Sequence, residues 1–442
     1  MGSKDLEDLR EEWNSKTAKY AKSINEFVEK GMKHGWGNAG EEPKQPKREH
    51  LVKHVLEALR ESNRNGSPID FKDEWYPAHS PFIEQLDEQS QSIPQVCILP
   101  DNSILARIGT SYQKGKVVRI VDKEVLTIDE VEFFGQCPNR EYFAFSNLTG
   151  ITIKQGWNGP VTTTLKWPSG LEGVPEKYKI KPFENPPSPT QLIPFPCGKK
   201  VLLVSSEGTF VLEESGATRL LPEKESLNEQ LEEEYEENPD EVSLYGLDME
   251  HAAISKDGKY IAVGSQCSSH LVYDENYKKV CDIGNQSEYP HYAIFSEDGE
   301  TLALNSCHFY NGITIGAKVK EFPGLETESY EEDSRAPIIE DCSRVYAGVS
   351  VGSDFIIGDA SGYIRCVSST GEKKWQHFLG SSVGSVDVSA DKETLVVSTY
   401  AGFLSIIKLN SDKVRPYQIG NANNYELRRW VFWSKEDKPL IW

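Results

Sequence analysis

No window of the 442-residue chain approaches 18 consecutive apolar residues, so no membrane-spanning helix is expected. The first thirty residues lack the apolar run of a secretion signal and carry Lys4, Asp5, Asp8, Arg10, Glu11 and Glu12 instead. Met1-Gly2-Ser3 opens like a myristoylation start, but Leu6 stands where Ser or Thr belongs. The eight cysteines form no C-x-x-C pair, which fits reduced, mostly buried thiols and a cytoplasmic location. Positive charge is scarce: 48 Lys and Arg face 69 Asp and Glu, a net charge of −21. Phosphate backbones and anionic lipid both demand a basic surface, so neither nucleic acid nor membrane is an expected partner. Also missing are a Gly-x-Ser-x-Gly elbow, a P-loop, a dinucleotide fingerprint and an H-E-x-x-H pair. No catalytic residue, cofactor or metal set is assigned on motif grounds.

Residues 1–85 read as a helical arm followed by a Pro-rich connector. Leu6, Leu9, Trp13, Tyr20, Ile24, Phe27 and Val28 recur at three- and four-residue steps, which predicts an amphipathic helix over 4–32. Leu51, Val52, Val55, Leu56 and Leu59 predict a second helix over 48–62, stopped by Asn65-Gly66. Two helices bury little surface alone. Their apolar faces either dock on the following domain or serve as a partner-facing or oligomerising arm.

From residue 86 the apolar period changes from 3.6 to 2. Ala253-Ile254-Ser255-Lys256-Asp257-Gly258 begins a strand–turn–strand unit that returns at Ile294–Gly299 and again at Val386–Lys392. In each copy Asp closes a tight turn through its side chain, and Gly or Lys takes the strained corner. Weaker turns at 101, 139, 198 and 342 join those at 257, 298 and 391, giving seven units. That spacing, with four strands per unit, predicts an all-β, seven-bladed β-propeller of antiparallel blades over 86–442. The small N-terminal α-helical extension precedes it. Arg429–Trp433 and the strand beginning at Pro94 are expected to share one blade and so close the ring. The Ser-x-Asp-Gly units resemble those of WD-repeat and bacterial YVTN-type propellers. Gly358-Asp359-Ala360-Ser361-Gly362, followed by Thr370-Gly371-Glu372-Lys373-Lys374-Trp375, resembles the quinoprotein-type repeat. Trp-Asp endings are absent, so the resemblance implies a propeller without specifying a subfamily.

Two stretches stand out for function. The first is His-, Tyr- and Asn-rich: Glu288, Tyr289 and His291, then Asn305, His308, Tyr310 and Asn311, with His251 at the matching place one blade earlier. Its residues fit three roles: hydrogen bonds between blades, a binding rim at the central channel, or a metal or acid–base site. Cys307 and His308 are strand neighbours that point to opposite faces, which argues against a Cys–His pair. The second stretch is the acidic insertion 222–241. Ten acids, including Glu229, Glu232, Glu233, Glu234, Glu236 and Glu237, face only Lys224, and Leu227 and Leu231 suit a short surface helix. Five further acids lie in Glu326–Asp333. Such runs are either solvated loops or devices that steer a cationic partner.

The sequence thus favours a non-enzymatic cytosolic interaction module for a protein partner, a basic one by charge, with an immunity-type inhibitor of a basic toxin as one concrete form. The alternative is a propeller hydrolase or lyase acting on a small ligand through His251, His291, Glu288 and Tyr289. A quinone-dependent oxidoreductase ranks below both.

Overall fold

The computed structural model describes residues 3–66, 71–78, 80–82 and 89–442. Seven sheets, each with four antiparallel strands paired in chain order, form the blades of a β-propeller; blade four gains a fifth, parallel strand, Leu325–Thr327, from the chain segment that connects the last two strands of blade five. Their innermost strands are Gln95–Ile98, Phe133–Gln136, Pro189–Pro194, His251–Ile254, Tyr289–Phe295, Val345–Val351 and Val383–Val388. Second strands such as Ile104–Ile108 and Val201–Ser205 are buried along their whole length, which explains their near-continuous apolar reading. The core therefore lies between blades, in successive apolar layers.

The repeated turn works through its side chains. Ser255, Ser296 and Ser389 each donate Oγ–H to the Asp two positions on, at 2.8, 2.6 and 2.5 Å. Each Oγ also accepts the backbone N–H five positions on, from Tyr260, Thr301 and Thr394. Gly258, Gly299 and Lys392 take positive φ at the corner, at 77°, 76° and 64°. Blade six departs from the expectation. The turn at 342 is not its inner hairpin but the connection from blade five, where Glu340 accepts the N–H groups of Cys342 and Ser343. The inner hairpin instead turns at Gly352-Ser353, a two-residue loop that needs no Ser-x-Asp and so leaves no such mark.

Ring closure also differs from the expectation. Blades one and seven each keep their own strands, and the strand pairing between the two ends among the described residues is an isolated bridge between Ser90 and Trp433. The join is made face to face: Ile98 N–H donates to Asp387 Oδ2 at 2.7 Å, and Ser398 Oγ–H to Ile93 O at 2.7 Å. Gly384 permits this approach, since a Cβ there would stand 2.3 Å from Ile93 O. Blade seven's outer edge is covered by a fifth strand, Leu440–Ile441, and not by the first strand of the ring.

The arm consists of α1 (Ser3–His34), α2 (Glu49–Arg64) and α3 (Phe71–Glu74). It packs on blade seven. Trp13, Leu51, Val55 and Leu59 share one buried cluster with Phe403, Trp433 and Trp442. Polar contacts fix the seat: Asn63 exchanges two hydrogen bonds with Ile441, and Trp442 Nε1–H donates to Trp75 O at 2.9 Å. No helix among the described residues is long and apolar enough to cross a membrane.

Candidate functional site

A cavity of about 750 Å³ runs down the centre and is lined by all seven inner strands. At its lower end, where the first two strands of each blade turn, ion pairs cross it. Lys392 Nζ lies 2.9 Å from Glu297 Oε1, Lys256 approaches the same carboxylate, and Arg140 pairs with Asp387. The upper end, where inner strands begin, carries Tyr112, Glu250, His251, His291, Tyr346 and Tyr400. Tyr112 is 64 % exposed; Tyr346 and Tyr400 are half-buried with rings 5.6 Å apart.

Glu250 is the unusual member of this rim. It is only 8 % exposed, and neither carboxylate oxygen has a hydrogen-bond partner of normal geometry among the described residues. Burial pushes its carboxyl above the ordinary value; its own N–H and the Thr190 hydroxyl offset part of this, while Asp248 and Glu207 add to it. Met249 before it sits at φ 56°, a conformation that non-glycine residues adopt at a cost.

The neighbouring histidines do not supply the missing cation. His251 Nδ1 meets Met249 O at 2.9 Å, and its Nε2 is buried without a partner. Its ring packs over Gly264, where a Cβ would stand 2.6 Å from it. His270 lies 5.6 Å away, ring to ring, with both nitrogens unpaired. Burial pushes His251 down to about 4 and His270 well below its ordinary value, so both are neutral at pH 7. His291 is engaged in joining blades: Nδ1 meets Val345 O at 2.6 Å, and Nε2 accepts from Arg344 Nε at 3.2 Å. Burial, then the Arg344 charge, hold it down to about 3.

The residues singled out from sequence are therefore dispersed. His251 and His291 line the channel. Glu288 and His308 pair with each other at 2.5 Å on the half-exposed upper surface of blade five, where its inner strand begins and its second strand ends, and the Glu288 charge raises the Tyr289 phenol. Tyr310 and Asn311 are exposed nearby, whereas Asn305 is buried and fully bonded. Its Nδ2 donates to Ser343 O and Thr314 Oγ1, and its Oδ1 accepts Val345 N–H. Cys307 is buried and His308 half-exposed, on opposite faces as their adjacency requires. The set His251, His291, Glu288 and Tyr289 is thus split between the channel lining and the upper surface beside it. Tyr112, Tyr346, Tyr400 and Glu250 were not singled out. The tyrosines come from three separate blades, and only Glu250, next to His251, left any local trace.

The acidic insertion forms α4 (Lys224–Glu237), seated by buried Leu227 and Leu231 against Tyr178. Glu229, Glu233, Glu236 and Glu237 are exposed, while Glu232 pairs with Lys177 and Glu234 accepts Ser243 N–H. The helix lies between the outer strand of blade three and the inner strand of blade four, so it shares the upper face with Glu250. The second acidic stretch reaches that face too. Tyr330 N–H donates to Asn285 O and Gln286 Nε2 to Glu331 O, beside the connection into blade five.

No family model matches the chain, and no curated protein matches its sequence. Among solved structures it is similar to the computationally designed Ika8 protein, at TM-score 0.43 and 13 % identity, covering 72 % of this chain and 96 % of that one. It is also similar to Kuenenia stuttgartiensis hydrazine synthase, at TM-score 0.41 and 12 % identity, covering 65 % and 80 %. Likeness at this level carries no argument about function.

Proposed function

We propose that the protein is a non-catalytic interaction module whose upper face receives a basic protein partner, one cationic side chain of which reaches Glu250 in the channel mouth. The observation that carries this reading is the Glu250 carboxylate: nine-tenths buried, without a hydrogen-bond partner of normal geometry among the described residues, and set in the lining of a cavity whose own cations Arg140, Lys256 and Lys392 pair with other acids at its lower end. A buried charge of this kind is costly until something pairs with it. Tyr112 and Tyr400 line the same cavity and offer aromatic rings that suit an ammonium or guanidinium group, as Tyr346 already does for Arg344, 5.0 Å from its ring centroid. The exposed acids of α4 and of 326–333 supply the long-range attraction that speeds encounter with a basic surface. Neutralisation of a basic toxin domain, as an immunity protein performs it, is one task with this chemistry. The acid–base alternative is the weaker reading, because His291 is bound to Arg344 and Glu288 to His308.

The test is calorimetric titration of the full chain with an oligolysine peptide at several salt concentrations. Glu250→Gln is expected to weaken binding by about tenfold or more, the scale of one charge-assisted hydrogen bond of roughly 1.5–3 kcal/mol. Replacing Glu229, Glu233, Glu236 and Glu237 by Gln should instead lower the association rate and flatten its salt dependence, with melting unchanged. Equal affinity for wild type and Glu250→Gln would sink the channel-mouth reading.

A further inference from the structure

We propose that a second, enclosed site lies between the helical arm and the propeller, and that it binds a compact oxyanion such as phosphate or sulfate. A cavity of about 110 Å³ opens there, walled on one side by Thr17, Tyr20 and Arg48 and on the other by His377, Arg415 and Tyr417. The chain builds it through an excursion from blade seven that reaches back to blade six, where Gly420 bridges to His377. Asn25 of α1 then ties the excursion to the arm, its Oδ1 accepting Gly420 N–H at 2.8 Å and its Nδ2 donating to Gln418 O.

The lining has more donors and more positive charge than its surroundings satisfy. Arg48 is 2 % exposed and lies over the Trp13 ring, 4.8 Å from its centroid. Its Nη1 and Nη2 donate to Thr17 Oγ1 and Ser80 O, both neutral acceptors, and no carboxylate among the described residues forms an ion pair with it. Arg415 has Asp73 as its counter-ion and Tyr425 as a second partner. Glu426 is committed to Arg429 and to the Ser405 hydroxyl. One positive charge is left over in the wall, that of Arg48. Beyond it, Arg48 Nε, Arg415 Nε, Tyr417 Oη and His377 Nδ1 are all buried without a hydrogen-bond partner. Four such atoms around one cavity are rare, since buried polar groups are almost always satisfied. An oxyanion accepts from several donors at once and balances the leftover charge, which an apolar ligand cannot do.

Because the walls come from both parts, the bound anion would also hold the arm to the propeller. The experiment is isothermal titration of the full-length protein with sodium phosphate, sulfate and acetate in turn, at constant ionic strength. Saturable one-to-one binding of at least one of them is expected, and the order among the three tells a tetrahedral ligand from a carboxylate. Tyr417→Phe deletes only a hydroxyl without a partner, so folding is preserved, and affinity should fall by up to about tenfold. Arg48→Gln should abolish binding, while Glu250→Gln, at the other site, should leave it intact. Bound anion should slow proteolytic release of the arm in wild type and not in Tyr417→Phe. No saturable binding of any of the three, or the same affinity in wild type and Tyr417→Phe, would overturn the proposal and leave the cavity to water.

Discussion

Glu250→Met should make the protein more stable. Most substitutions cost about 1 kcal/mol, so the sign alone is informative. Methionine matches the length of the glutamate side chain and needs no hydrogen bond, whereas the carboxylate at 8 % exposure has none of normal geometry among the described residues for either oxygen. An unpaired buried polar group costs about 1–3 kcal/mol, and a charged one no less. With an unfolding entropy of roughly 2.1 cal/mol/K per residue, a chain of this length changes by about 0.9 kcal/mol per degree, so the gain corresponds to a rise of about 1–3 °C in Tm.

The same substitution carries a pH signature whose sign follows from burial. The Glu250 carboxyl is raised from its ordinary value of 4.5 in the folded state. Between 4.5 and that raised value, the folded chain holds a proton the unfolded chain has lost. Stability therefore falls as pH rises through this window, and stays low above it. The advantage of the Met variant should be smallest near pH 4, grow with rising pH, and level off above the raised value. Differential scanning calorimetry of both proteins across pH 4–8 measures it. A Met variant no more stable than wild type at pH 7, or an advantage independent of pH, would show that the carboxylate is already paired, and the case for an external cation would fall with it.

Two further outcomes follow from the contacts. His291→Ala removes the bond to Val345 O and strands two Arg344 donors, so urea denaturation should register a loss of about 1–3 kcal/mol, as expected of a residue that joins blades five and six. Deleting residues 440–442 strips the fifth strand of blade seven and the buried Trp442, whose ring lies against Phe82. That should cost about 3–5 kcal/mol and expose the arm to protease, whereas unchanged melting and digestion would refute its role as edge cover.

What could be read from the sequence divides along a physical line. The blades were legible because their instructions are local: Ser255, Asp257 and Gly258 set a turn within four residues, and the same chemistry recurs at Ser296 and Ser389. Blade six was misplaced for the same reason, since Gly352-Ser353 turns the chain without that signature. The helices of the arm were legible from periodicity, but their seat was not. Trp13 meets Phe82, and Phe82 meets Trp442, only in three dimensions, between segments far apart along the chain.

The channel mouth was the least legible part, and the histidines show why. In sequence, five of the nine cluster in the later blades and invite an acid–base reading. In the fold, His251 and His270 are buried deeply enough to stay neutral, and His291 accepts from Arg344. That neutrality bears directly on Glu250. Had His251 been solvated and protonated one residue away, it would have been the natural counter-ion, and the carboxylate would have been spent inside the molecule. Burial of the imidazoles denies it that partner, while Asp248 and Glu207 raise its cost further. The histidines that look reactive in the sequence are therefore neutral in the fold and supply no charge to the rim. The acid beside them, ordinary on the page, is the group left buried without a hydrogen-bond partner of normal geometry among the described residues.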